Sequence, residues 1–182
     1  MTPDTTLQLC APTLELESAY QACEAEYNAH GEAFLGAGAA NDWSAYVAQC
    51  AEEAQGIVRD PARVAQTVLL LVRVSAHATP PAQATLLGVA KLRHTLTPTL
   101  EDIGGHIGYS IRPGERGKGY GDLILALTLE RARALGLSHV LLTCDSDNLR
   151  SARVIVRNGG VLTSEGYSPL RGARVSRYWI AL

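Results

Sequence analysis

Between Arg112 and Asp122 the chain reads RPGERGKGYGD, two arginines, a lysine and four glycines just ahead of a strongly helical stretch. Cations beside flexible backbone N–H groups at a helix N-terminus suit a phosphate, because those N–H groups lack internal partners and carry the positive end of the helix dipole. Three loop patterns compete for this stretch. A Walker-type loop, G-x-x-x-x-G-K-[ST], fits at Gly117-Lys118 but has Arg112 at its first glycine and Gly119 at the magnesium-binding Ser/Thr. A dinucleotide fingerprint, G-x-G-x-x-G, fails because Gly117, Gly119 and Gly121 run as G-x-G-x-G, with Asp122 at the third glycine. The third pattern, [RQ]-x-x-G-x-[GA], is met in full from Arg116 to Gly121.

Such a loop needs a strand to deliver it and a helix to open from it. GGHIGYSIRP (104–113) reads as a strand stopped by Pro113. From Gly119, apolar residues at 123, 124, 127 and 135 mark a helix ended by Gly136. LSHVLLTCDSDN (137–148) is a buried strand ending in turn residues, and NLRSARVIVRNGG (148–160) is a short helix opened by Asn148 and stopped by two glycines. Upstream, TLQLCAPTLE (6–15) starts as a short strand, and 16–30 and 43–57 carry helical spacing, the second capped by Asp42. A Gly/Ala-rich connection, 31–42, separates those helices. RVAQTVLLLVRV (63–74) and ATLLGVAKLRHTL (84–96) read as strands joined by SAHATPPAQ, a hairpin-type connection, and 97–103 reads as a loop. Two last strands flank GYSPLRG. The order β, α, α, β, β, β, α, β, α, β, β describes one mixed α/β domain over 1–182, with 1–60 holding the N-terminal strand and two helices.

Composition narrows the function classes. The 182 residues are 47% hydrophobic and 19% charged, a soluble globular balance, and a net charge of −2 argues against general nucleic-acid binding. Cys10, Cys23, Cys50 and Cys144 are scattered without metal-ligand spacing, as expected of reduced, mostly buried thiols in a cytoplasm; Cys144 ends a strand beside the suspected site and can line a pocket there. The opening residues lack a basic and an apolar region of signal-peptide type, and the apolar run at TVLLLV is too short to span a membrane. The expectation is a cytoplasmic protein that binds neither membrane nor metal.

In its setting the motif resembles the GNAT family, the acyl-CoA-dependent N-acetyltransferases. A strand ending GYSIRP precedes it, a helix opens from it, and a strand and an Asn-initiated helix follow in the family's order, so the resemblance covers about residues 62–165. LRHTL, GGHIGYSIRPGERGKGYG, CDSDN and RNGG look like a bacterial branch of predicted acetyltransferases. The resemblance implies a mixed, mostly antiparallel twisted sheet with a splayed central strand pair and flanking helices, 61–182 forming the acetyl-CoA-binding core. It implies acetyl-CoA as co-substrate, an amine acceptor (small molecule, amino acid or peptide) and compatibility with a homodimer. The loop Arg116, Gly117, Lys118, Gly119, Tyr120, Gly121 and Asp122 would hold the pyrophosphate. Tyr109, Ser110 and Ile111 would pair through their backbone with the pantetheine arm, the Ile111 amide polarising the thioester carbonyl. Asn148 and Ser151 would reach the arm or the phosphates, and a bulge near 104–105 would bend the strand.

Catalysis is less determined. Amine acetylation needs a neutral nucleophile and a proton for the leaving thiolate. Many relatives carry a tyrosine donor seven residues after the asparagine, where this chain has Ile155. Tyr109, Tyr120 and Tyr167 are the substitutes within reach of sequence reasoning. His94 and His106 are the candidate bases, with His106 one residue away from the usual position; water with backbone carbonyls is the alternative. Glu101 and Asp102 are either ammonium-recognising acids or solvated loop residues. Arg150, Arg153 and Arg157 recur at helical spacing as a solvated face. Two rival readings stay open: a catalytically silent acyl-CoA-binding regulatory module, and a transferase using a longer acyl-CoA.

Overall fold

The computed structural model describes residues 5–36, 42–75 and 84–182. The elements are β1 (Thr5–Cys10), α1 (Glu17–Ala29), α2 (Trp43–Ala54), β2 (Gln66–Ser75), β3 (Thr85–Arg93), α3 (Pro98–Asp102), β4 (Ile107–Ile111), α4 (Tyr120–Ala134), β5 (His139–Asp145), α5 (Leu149–Arg157), β6 (Val161–Ser168) and β7 (Ala173–Ala181). Most of the expected connection between β2 and β3, and residues 37–41 of the Gly/Ala-rich one, lie outside the described residues.

The elements follow local chemistry. β2 carries an unbroken Val/Leu run because both its faces are covered; Leu70 and Leu71 are fully buried on opposite sides. Ile124, Leu125, Thr128, Leu129 and Ala132 give α4 one inward stripe. Asp42 caps α2 by accepting from the Ala45 N–H at 2.9 Å, as the sequence predicts. α3 stands where a plain loop was expected. Its signal was present: Thr97 accepts from the Leu100 N–H at 3.3 Å, and Pro98 takes the first helical turn.

The strands form two antiparallel sheets, β1-β2-β3-β4 and β5-β7-β6. β4 and β5 stand side by side, linked by the α4 crossover, but share no ladder. The two sheets meet at a joint between the turn before β4 and the middle of β5, where the Gly104 N–H donates to Thr143 Oγ1 at 2.8 Å. The His106 N–H donates to the Leu141 carbonyl at 2.7 Å, and the Leu141 N–H donates back to His106 Nδ1 at 2.9 Å. The His106 carbonyl meanwhile accepts from the Arg93 N–H of β3 at 2.7 Å. Beyond this joint the strands diverge. One core layer lies beneath α1 and α2, around Tyr20, Phe34 and Trp43; another joins β4 and β5 to α4 and α5 through Ile107, Leu125, Leu142 and Ile155.

The bulge expected near residues 104–105 is a turn instead. Gly104 and Gly105 have φ of +101° and +63°, β3 and β4 keep continuous register, and an irregularity falls instead between β2 and β3, where Leu71 pairs with Gly88 and Val72 with Leu86, leaving Leu87 of β3 as the extra residue. A Cβ on Gly105 would lie 2.3 Å from the Leu141 carbonyl oxygen, so only glycine lets the turn press against β5. Gly105→Ala therefore combines a left-handed backbone with a clash at the joint. It is expected to destabilise the fold by about 3 kcal/mol, read as a shifted urea midpoint; an unchanged midpoint would mean the turn does not bear on β5.

Candidate active site

The loop after β4 is held through its own arginines by acids of α1 and of the segment that follows it. Glu26 accepts from Arg112 Nε and from the Gly114 N–H, both at 2.6 Å. Arg116 makes a two-pronged pair with Glu32 (2.9 and 2.5 Å), and its Nε donates to the Ile111 carbonyl at 3.1 Å. Its guanidinium also lies 5.6 Å from the centre of the Tyr27 ring, while the Tyr27 hydroxyl donates to the Ile111 carbonyl at 2.7 Å. Lys118 pairs with Glu115 at 2.9 Å. The arginine partners hold the Glu26 and Glu32 carboxyls below their usual range, keeping both charged near neutrality. Arg116 thus braces the loop, and the cationic cluster is internally compensated.

The backbone is left to face an anion. Gly119 precedes α4 with φ of +85°, in the left-handed region that favours glycine. Among the described residues, the N–H groups of 117–122 make no hydrogen bond, the first helical bond of α4 being Leu123 to Gly119. Six consecutive donors therefore surround the positive end of the helix dipole. Asp122, in the same turn, accepts from Arg157 at 3.3 Å through one carboxylate oxygen; the other is buried without a partner.

The divergence of β4 and β5 opens a cavity of about 310 Å³. Ile107, Tyr109, Leu142, Cys144, Asn148, Ser151 and Ile155 are part of its wall. Strand parity decides which β4 groups face it. The bonds Arg93 N to His106 O and Arg112 N to Leu87 O commit the even-numbered residues of β4 to β3. The peptide groups of Ile107, Tyr109 and Ile111 then point toward the gap. Ser110, expected beside Tyr109 and Ile111 as a backbone partner of the ligand, is turned to Val89 of β3 by the same parity. The Ile111 carbonyl is taken by Tyr27 and Arg116, leaving its N–H and both polar groups of the Tyr109 peptide for the gap. Asn148 caps α5 by accepting from the Ser151 N–H at 3.1 Å. The Ser151 Oγ lies 3.3 Å from the Tyr109 hydroxyl. Burial pushes Tyr109 up to about 12 and raises Cys144 above the ordinary thiol range, so both keep their protons at neutral pH.

The histidines expected as bases are placed otherwise. His106 is 8% exposed, and its ring accepts from a backbone donor at the joint; burial lowers its pKa, with Arg93 adding to the effect. His94 is not in the cavity wall, because alternation gives that side to Arg93; its Nε2 lies 2.9 Å from Thr67 Oγ1. Asp102 bonds Ser168 and Arg177 and so ties α3 to the last two strands instead of awaiting an ammonium group. Tyr120, Tyr167 and Glu101 are also absent from the wall. Sequence reasoning missed Glu26, Tyr27 and Glu32, which carry no local signal for bracing a loop more than 80 residues away. It also missed Arg93, Asp145 and Arg171, all in the wall; Arg93 was legible as the alternate-face neighbour of His94.

The family profile of the acetyltransferase (GNAT) domain matches residues 42–161. No curated protein sequence matches the chain. Among solved structures, the ribosomal-protein-S5-alanine acetyltransferase from Vibrio fischeri is similar at a TM-score of 0.65 and 16% identity, over 100% of this chain and 94% of that one. YncA from Salmonella typhimurium, assigned as an acetyltransferase and solved with its cofactor acetyl-CoA, gives 0.60 at 16% identity, over 98% and 94%. A variant of the spermidine N-acetyltransferase SpeG from Vibrio cholerae gives 0.54 at 16% identity, over 97% and 94%. A phosphate-ready loop at the head of α4, a splayed β4–β5 pair and a profile covering most of the chain agree: the protein belongs to the GNAT family of acetyltransferases.

Proposed function

We propose that the protein transfers the acetyl group of acetyl-CoA to a primary amine by direct attack on the thioester. One observation carries this reading: six unpaired N–H groups at residues 117–122 lie at the end of a strand whose free edge borders the cavity. A pyrophosphate at the loop and a pantetheine arm along β4 would satisfy both sets of groups with one ligand. The Tyr109 peptide would pair with the arm, and the Ile111 N–H would stabilise the oxyanion that forms on the thioester carbonyl. Asn148 and Ser151 flank the arm from α5. YncA, similar in fold, was solved with acetyl-CoA.

The chemistry balances without an acyl-enzyme. The amine nitrogen bonds to the carbonyl carbon, the carbon–sulfur bond breaks, the nitrogen loses a proton and the thiolate gains one. Among the described residues Tyr109 is the one phenol in the cavity wall and keeps its proton at neutral pH, which supports it as the donor to sulfur in place of the residue absent at Ile155. With both histidines engaged elsewhere, water passing the proton to solvent serves as the base. The neighbours' names span ribosomal-protein and polyamine acceptors, so the shared fold leaves the acceptor open. A silent acyl-CoA-binding module and a longer-chain acyltransferase remain the rivals. Turnover of acetyl-CoA with any amine excludes the first; relative affinities for acetyl-, propionyl- and succinyl-CoA decide the second.

Gly119→Asp adds a side chain in left-handed backbone and a negative charge beside the pyrophosphate. The folded variant, checked by circular dichroism, is expected to lose measurable acetyl-CoA binding in calorimetry; normal binding would displace the proposed loop. Tyr109→Phe is expected to lower kcat by about a hundredfold, with the acetyl-CoA Kd nearly unchanged. An unaltered kcat would return the proton-donor role to solvent.

A further inference from the structure

The charged residues in the cavity wall are Arg93, Asp145 and Arg171, and they do not balance. Arg171 grips Asp145 through two bonds, Nε at 2.7 Å and Nη2 at 2.6 Å, and lowers its carboxyl pKa so that this pair is charged but neutral in sum. Arg93 has no acid. Its Nη1 donates to the backbone carbonyls of Gly104 (3.2 Å) and Gly105 (2.9 Å). Its Nε and Nη2 bond to no described residue and are not sealed from solvent. The guanidinium is thus fixed at one corner and open along the edge that can form a two-pronged bond with a carboxylate. It is also largely desolvated: burial, with the charge of Arg63, lowers its pKa.

Position assigns this cation to the acceptor rather than to the coenzyme. Leu92, Ile107 and Leu142 face α4 and α5, so alternation puts Arg93, Gly108 and Thr143 on the opposite side of the sheets. There Arg93 lies against the start of β4: a Cβ on Gly108 would be 3.9 Å from its Nη1 and equally close to Leu35, which follows α1. The unpaired donors at 117–122, by contrast, belong to the head of α4. The acetyl thioester carries no charge for Arg93 to meet. A partly desolvated cation without an acid partner is strengthened as a binding group when a ligand anion supplies that partner.

Resting on the acetyltransferase reading above, we propose that the acceptor is an amine bearing a nearby carboxylate, as a free amino acid does, and that Arg93 is the residue recognising that carboxylate. The same cation works against polyamines, whose charges it repels. Arg93 is a specificity residue here; the reacting atoms are held by β4.

The test compares each of the common amino acids with its carboxamide and its decarboxylated amine, plus spermidine, in an assay of thiol release from acetyl-CoA. The wild-type protein is expected to favour the carboxylate form of its best substrate by about tenfold or more in kcat/KM, and to use spermidine poorly. Arg93→Gln is expected to erase that preference through KM while leaving acetyl-CoA affinity and turnover of the carboxamide near wild type; Arg93→Lys, which retains the charge, should restore part of it. Equal use of carboxylate and carboxamide by the wild type overturns the proposal, as does a uniform loss of kcat across all acceptors in Arg93→Gln. Calorimetry of the wild type with N-acetyl amino acids and their amides reads the same preference without turnover. If acetyl-CoA fails to bind, the acetyltransferase reading falls by itself, while tighter binding of the carboxylates would still uphold the Arg93 site and equal binding would refute it.

Discussion

The fold depends on the joint between its two sheets. Leu141 of β5 is bonded twice by His106, through backbone N–H and through the ring, while the His106 carbonyl stays with β3. A full ladder between β4 and β5 would close the sheet and consume the edge groups of β4. No backbone connection at all would leave the angle between the sheets to the Asp102 contacts and the shared core. One joint, buried and with Gly105 packed against the Leu141 carbonyl, lets the sheets stay continuous at one end and diverge at the other. The cavity and the exposed peptide groups of Tyr109 and Ile111 both follow from it.

The loop needs a second constraint, and α1 supplies it. A glycine-rich segment with unpaired N–H groups has a high entropic cost of order. Glu26, Tyr27 and Glu32 meet that cost by fixing Arg112, Gly114, Arg116 and the Ile111 carbonyl. These acids also neutralise the arginines, so what the loop presents is aligned backbone dipoles rather than side-chain charge. The ion pairs are partly exposed and individually weak; their value lies in holding one backbone conformation ready.

Charge is divided between the two sides of the sheets. Toward α4 and α5 the cavity wall is apolar or carries protonated hydroxyl and thiol groups, a setting for a long, uncharged pantetheine arm and a departing sulfur. Toward α1 it holds Arg93 and the Asp145–Arg171 pair. The unpaired backbone donors proposed to meet the cofactor's negative charge lie outside the cavity, at the head of α4. Such separation lets a desolvated cation discriminate among acceptors without competing for the phosphates.

Much of this was legible in the chain itself. The order of strands and helices, the Asp42 and Asn148 caps, the glycine stops and the Arg116–Gly121 motif are local patterns, encoded by side-chain period and by backbone conformations open mainly to glycine. α3 is equally legible in Thr97-Pro98, an N-cap followed by a proline in the first turn, but at five residues it is too short to show a helical period. What the sequence alone determined was therefore the element order and the glycine-rich loop motif at the head of α4. The tertiary structure decided that His106 is a joint, that Arg93 rather than His94 faces the cavity, that Ser110 turns to β3, and that Glu26 and Glu32 absorb the loop's arginines. Those outcomes turn on strand register and on partners up to 88 residues apart, and a shift of one residue in register exchanges every side chain between the two faces of a strand.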